Sequence, residues 1–89
     1  MPEYALEIAK SFERDLRKIP VNMHEVFFTE IEHLATDPFP KSRYKKLKGT
    51  KHSYRLRVGD YRILYEVDSS VMLLTIYRIR HRKDSYRNL

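Results

Sequence analysis

The chain has 89 residues, with 18 Lys or Arg against 12 Asp or Glu and a net charge of +6. That length builds one domain, residues 1–89, with one modest core, and a hydrophobic share of 42% is that of a folded chain. The absence of cysteine excludes disulfides, thiolate chemistry and zinc fingers, and no apolar run approaches the roughly 20 residues that span a bilayer. The opening MPEYALEIAK lacks the charged and apolar regions of a secretory signal, so a cytoplasmic protein is expected. The charge is unevenly divided. Residues 1–40 hold four basic and eight acidic residues, whereas residues 41–89 hold fourteen and four. A basic half of that density points to a polyanion, nucleic acid first.

Tyr4, Leu6 and Ile8 alternate with small or polar residues, which predicts a first strand. Ser11 then stands where a helix cap is needed, and Phe12, Leu16 and Ile19 form an apolar stripe that Pro20 ends. A second helix is expected from about Asn22 to Ala35, burying Met23, Val26, Phe27, Ile31 and Leu34, with the DPFP stretch as its stop. His24 and His33 lie on it without ligand spacing and read as surface residues. Residues 41–53, KSRYKKLKGTKHS, read as a basic connector turning at Gly49.

The stretch YRLRVGDYRILYEV, Tyr54 to Val67, reads as a hairpin with Gly59-Asp60 as a two-residue turn. That register sets Val58 against Tyr61, Arg57 against Arg62, Leu56 against Ile63 and Arg55 against Leu64. Alternation sends Leu56, Val58, Tyr61, Ile63, Tyr65 and Val67 to the core. Arg55, Arg57, Arg62, Leu64 and Glu66 take the other face. Like charges directly opposite each other destabilise a sheet, so this arginine pair asks for an anion. Guanidinium forks fit phosphate oxygens and stay charged at any relevant pH. After a turn at Asp68-Ser69-Ser70 comes VMLLTIYRI, whose lack of clean alternation predicts a central strand covered on both faces.

The order strand, helix, helix, three strands predicts an α+β fold: two N-terminal helices on a small, mostly antiparallel sheet. The last strand runs into Arg78, Arg80, His81, Arg82 and Lys83, with Tyr86 close behind. A tyrosine among cations has its phenolate favoured and becomes a candidate general base, with Arg82 near the leaving oxygen. His81 is the one histidine beside this candidate site. The basic half has few carboxylates, and these do not cluster, so no metal site is expected.

KKLKG, YRLRVGDYRILYEV and IRHRKDSY together resemble the RelE/ParE superfamily of toxins from type II toxin–antitoxin modules. The resemblance extends over nearly the whole chain and favours the RelE branch. It implies a ribosome-dependent endonuclease that cuts messenger RNA with the RNA's own 2′-hydroxyl as nucleophile and needs no metal or other cofactor. Arg57, Arg62, Arg82 and Tyr86 match the family's catalytic positions. Lys46, Lys48, Lys51, Arg55, Arg80 and His81 are expected to hold RNA. The resemblance also implies a cognate antitoxin as partner, ribosome and messenger RNA as targets, no membrane, and operator DNA as a target of the toxin–antitoxin complex. Two alternatives stand beside it: a ParE-like inhibitor of DNA gyrase, and a catalytically inactive relative that only binds its antitoxin.

Overall fold

The chain runs β1 (Ala5–Ile8), α1 (Lys10–Leu16), a 3₁₀ turn (Val21–Met23), α2 (His24–Thr36), β2 (Tyr44–Lys46), β3 (Ser53–Val58), β4 (Tyr61–Asp68) and β5 (Leu73–His81). The structure, a computed structural model, describes residues 3–83. The strands form one sheet in the order β1-β5-β4-β3-β2, antiparallel except where β1 lies parallel to β5. The expected α+β layering is found, with one strand more than the sequence indicated: β2, inside the basic connector.

Both helices lie on one face of the sheet. Phe12 of α1 and Phe27, Ile31 and Leu34 of α2 meet Leu56, Val58, Ile63, Tyr65, Val67, Leu74, Ile76 and Ile79 in a single buried cluster. The hairpin register is the expected one, Val58 opposite Tyr61 and Arg57 opposite Arg62. Gly59 alone of the two turn residues has positive φ, 61°, the pattern of a type II′ turn, which matches strand twist. Gly49 also turns with φ 77°. After β4, the Asp68 carboxylate accepts the backbone N–H and hydroxyl of Ser70 at 3.0 and 2.6 Å. The hydroxyl bond chiefly holds that carboxyl below its usual range.

Several local expectations are corrected. Ser11 does not cap α1, whose cap position is Ala9; its hydroxyl donates instead to the Tyr77 carbonyl of β5. Val26 is 42% exposed, while Ala35 takes a buried place on α2. The helix begins at His24, two residues later than expected, and its buried stripe runs through Phe27, Ile31, Leu34 and Ala35, with Val26 about 100° round from Phe27. His24 is half-buried, and its Nε2 lies 3.0 Å from both the Leu16 and Ile19 carbonyl oxygens. Two acceptors require that this nitrogen carry the hydrogen. In β5 the broken alternation has a different cause from two-sided cover. Leu64 pairs with Arg78 but Tyr65 with Ile76, so Tyr77 is an extra residue, a β-bulge.

Candidate nucleic-acid interface

The sheet face opposite the helices is open, and the register decides what it carries. Arg57 on β3 faces Arg62 on β4, and Arg62 faces Arg80 on β5. Neighbouring strands lie about 4.8 Å apart, so three guanidinium side chains rise from a row roughly 10 Å long. The next row holds Lys45, Arg55, Leu64 and Arg78. Two rungs from the arginine row the face turns acidic, with Glu66 and Glu7 on either side of Thr75. The face is thus polarised along its strands, cationic at the Gly59-Asp60 end.

A shallow cleft of about 200 Å³ opens on the cationic end, lined by Ser42, Arg43, Tyr44, Lys45, Arg55, Arg57 and Arg62. Its β2 wall depends on the segment after α2. Tyr65, fully buried, donates its hydroxyl to the Pro38 carbonyl at 2.7 Å. Burial pushes that phenol well above its ordinary range, and Tyr44, Tyr54 and Asp37 add to the effect. Phe39 packs on Tyr44 and Tyr54, with ring centres 5.5 and 5.1 Å apart. The chain then turns from Pro40 to Arg43, whose N–H reaches the Pro40 carbonyl at 3.2 Å, with Ser42 at φ 68°. This turn delivers Arg43 and Lys45 to the cleft.

The structure gathers Arg55, Arg57 and Arg62 in the cleft and sets Arg80 beside Arg62. Arg82 follows β5 at the head of the row, where its N–H donates to the Asp60 carbonyl at 2.7 Å. Other expected residues lie elsewhere. His81 pairs with Tyr61 on the helix side of the sheet, their rings edge-on at 5.0 Å. Its Nδ1 accepts the Lys83 N–H at 3.1 Å, which leaves Nε2 as the donor of the neutral ring. Lys46 faces Tyr54, also on the helix side, while Lys48 and Lys51 are exposed in the β2–β3 loop. Tyr86 lies outside the described residues. Arg43 and Lys45 were missed because β2 was missed. Tyr44-Lys45-Lys46 is too short a run to mark a strand, and no other sequence signal points to Arg43 or Lys45.

Arg43 and Arg78 are ion-paired, to Glu30 at 2.6 Å and to Asp15 at 2.8 Å. Among the described residues, neither Arg55 nor Arg57 has a carboxylate within ion-pair distance. The face is therefore a place where incoming negative charge finds guanidinium groups without displacing an acid from either of them.

The sequence profile of the ParE toxin family, of the type II toxin–antitoxin system parDE, matches residues 6–86. Toxin RelE3 of Methanocaldococcus jannaschii is 33% identical over 81 residues, which cover 88% of this chain and 90% of that one. Among solved structures, a chain of the archaeal RelE–RelB complex from Pyrococcus horikoshii superposes with a TM-score of 0.78 at 29% identity, over 92% of this chain and 97% of that one. A chain of the RelB–RelE antitoxin–toxin complex from Methanococcus jannaschii gives 0.75 at 30%, over 93% and 98%. No helix among the described residues is long and apolar enough to cross a membrane. With a family profile spanning almost the whole chain and RelE toxins alike in sequence and fold, the protein belongs to the RelE/ParE superfamily of type II toxin–antitoxin toxins, on its RelE-like branch.

Proposed function

We propose that this toxin is an endoribonuclease that cuts messenger RNA on the ribosome and that a cognate antitoxin protein neutralises it. The observation that carries the reading is the row Arg57–Arg62–Arg80 beside a cleft lined by Arg55 and Lys45. A scissile phosphate seated there gains negative charge as the RNA 2′-hydroxyl attacks. Fixed guanidinium groups stabilise that charge more in the transition state than in the ground state. Arg82, at the head of the row, is proposed to stabilise the leaving 5′-oxygen, and Tyr86 is the proposed base. Because Arg55 and Arg57 stay protonated, they bind and stabilise but do not shuttle protons. No step of this scheme requires a metal. The antitoxin is expected to cover the cationic face, and the pair is expected to bind its operator DNA.

Expression of the chain alone is expected to arrest growth and to produce cuts within codons of translated messages, read by primer extension. Arg57→Ala and Arg62→Ala are each expected to lower cleavage about 10²–10³-fold, as loss of a transition-state donor does. Undiminished cleavage in both variants overturns the assignment. The matching profile bears the ParE name, which favours a second reading, a gyrase inhibitor without chemistry of its own. DNA damage without message cleavage selects that reading.

A further inference from the structure

The cations lining the cleft are not equivalent. The Arg43 guanidinium donates to the Glu30 carboxylate of α2 at 2.6 Å, and Glu30 is the more shielded partner, 18% exposed against 44% for Arg43. The same Nη2 lies 3.4 Å from the Arg57 carbonyl, and the Arg57 N–H donates to the Arg43 carbonyl at 3.3 Å. Arg43 thus holds both backbone polar groups of Arg57, a member of the arginine row. Lys45, Arg55 and Arg57 have no such acid behind them among the described residues.

We propose that Glu30 is an internal counter-ion of the cleft: it withdraws Arg43 from phosphate binding and makes it a positioning residue for Arg57. The proposal rests on the RNA reading above and deepens it. Two physical arguments support it. Without Glu30, a further uncompensated cation would stand beside Arg55 and Arg57, and the repulsion would push β2 off the sheet edge that forms the cleft wall. With Glu30, the cleft's charge is reduced from the helix side, while on the open side Arg55 and Arg57 keep no carboxylate within ion-pair distance among the described residues. A charge-assisted bond of 2.6 Å is short and strong for its class. An RNA phosphate recruiting Arg43 would have to break it. The arrangement therefore caps the number of phosphate contacts and, with it, affinity for RNA of any sequence, while Arg57 stays fixed.

The count of phosphate contacts is measurable. Binding of a short single-stranded RNA to the isolated protein, followed by fluorescence anisotropy from about 50 to 200 mM salt, loses about 0.7 in log–log slope per contact removed. Arg55→Gln is expected to lower the slope by about 0.7, Arg43→Gln to leave it unchanged, and Glu30→Gln to raise it by about 0.7 by releasing Arg43. Arg43→Lys, which keeps the ion pair, should also leave the slope unchanged. Amide exchange at Arg57 should quicken in Arg43→Ala and return toward the parent rate in Arg43→Lys. Suppose Arg55→Gln acts as expected, but Arg43→Gln lowers the slope equally or Glu30→Gln leaves it unmoved. Arg43 is then an ordinary phosphate ligand, and the counter-ion proposal fails while the RNA reading survives. If Arg55→Gln itself has no effect, the cleft is not where RNA binds, and both fail together.

Discussion

Asp15 of α1 accepts the backbone N–H of Ile79 at 2.9 Å and the Arg78 Nε at 2.8 Å through one carboxylate oxygen. Strand β1 ends at Ile8, opposite Ile76, so the edge of β5 beyond that point has no strand beside it. Ser11 and Asp15, one helical turn apart, take its place by meeting the Tyr77 carbonyl and the Ile79 N–H. Removing Asp15 strands a backbone donor and unpairs Arg78. Asp15→Ala is therefore expected to cost about 1–2 kcal/mol in urea denaturation, with allowance for partial exposure. Asp15→Asn, which can still accept the N–H, should cost less. Equal losses in the two variants would show that charge, and not the edge bond, matters.

Arg57 stands directly opposite Arg62 across the β3–β4 pair. Relief of like-charge repulsion across a strand pair contributes about 0.2–1 kcal/mol. Arg57→Thr, a good strand former, is thus expected to raise the unfolding midpoint slightly while RNA binding weakens. A variant that loses both stability and binding would mean that Arg57 is a structural residue whose bond to the Gly59 carbonyl, at 3.3 Å, outweighs the repulsion.

Tyr65 makes stability depend on alkaline pH. Its phenol is held protonated by burial, whereas in the unfolded chain it ionises near pH 10. The folded state keeps a proton that the unfolded state loses. Stability from this group is therefore complete below about pH 10 and declines as pH rises beyond it. Tyr65→Phe removes that decline but leaves the buried Pro38 carbonyl unbonded, at a cost of about 1–3 kcal/mol near neutrality. Chemical denaturation at neutral pH and above pH 10 checks both effects. Parallel curves for the two proteins in the alkaline range would refute the linkage.

Ser42 has a φ of 68° as the third residue of the Pro40–Arg43 turn, a place where glycine is favoured. Holding a non-glycine residue there costs on the order of 1 kcal/mol. Ser42→Gly should therefore stabilise the protein by a few tenths to about 1 kcal/mol, net of the entropy that glycine adds to the unfolded chain. Thermal unfolding tests this. A destabilised Ser42→Gly would indicate that the serine hydroxyl, beside the cleft, has a partner worth more than the strain.

The hairpin was legible because its information is local. Gly59 supplies the turn, the period of two assigns the faces, and the Arg57–Arg62 pair follows from counting outward. The core of α2 was legible in kind, but its start was off by two residues, since the 3₁₀ turn at Val21–Met23 has no strong sequence mark. β2 was invisible for another reason. Three residues, Tyr44-Lys45-Lys46, carry too little alternation to declare a strand, and it forms because Phe39 and Tyr65 pin the preceding segment to the core. Arg43 and Lys45 entered the site only through that strand.

By itself the sequence determined the layer order, the hairpin register and the existence of a cationic face, since turn chemistry and side-chain period act between near neighbours. Only the tertiary structure decided how that face is completed. Pairing of β4 with β5 brought Arg80 beside Arg62, and the bulge at Tyr77, with the odd spacing it creates, placed His81 on the helix side. Contacts across 13 and 63 residues set Glu30 against Arg43 and Asp15 against Arg78. Which arginines meet an anion and which meet an acid depends on distances in space, and spacing along the chain does not contain them.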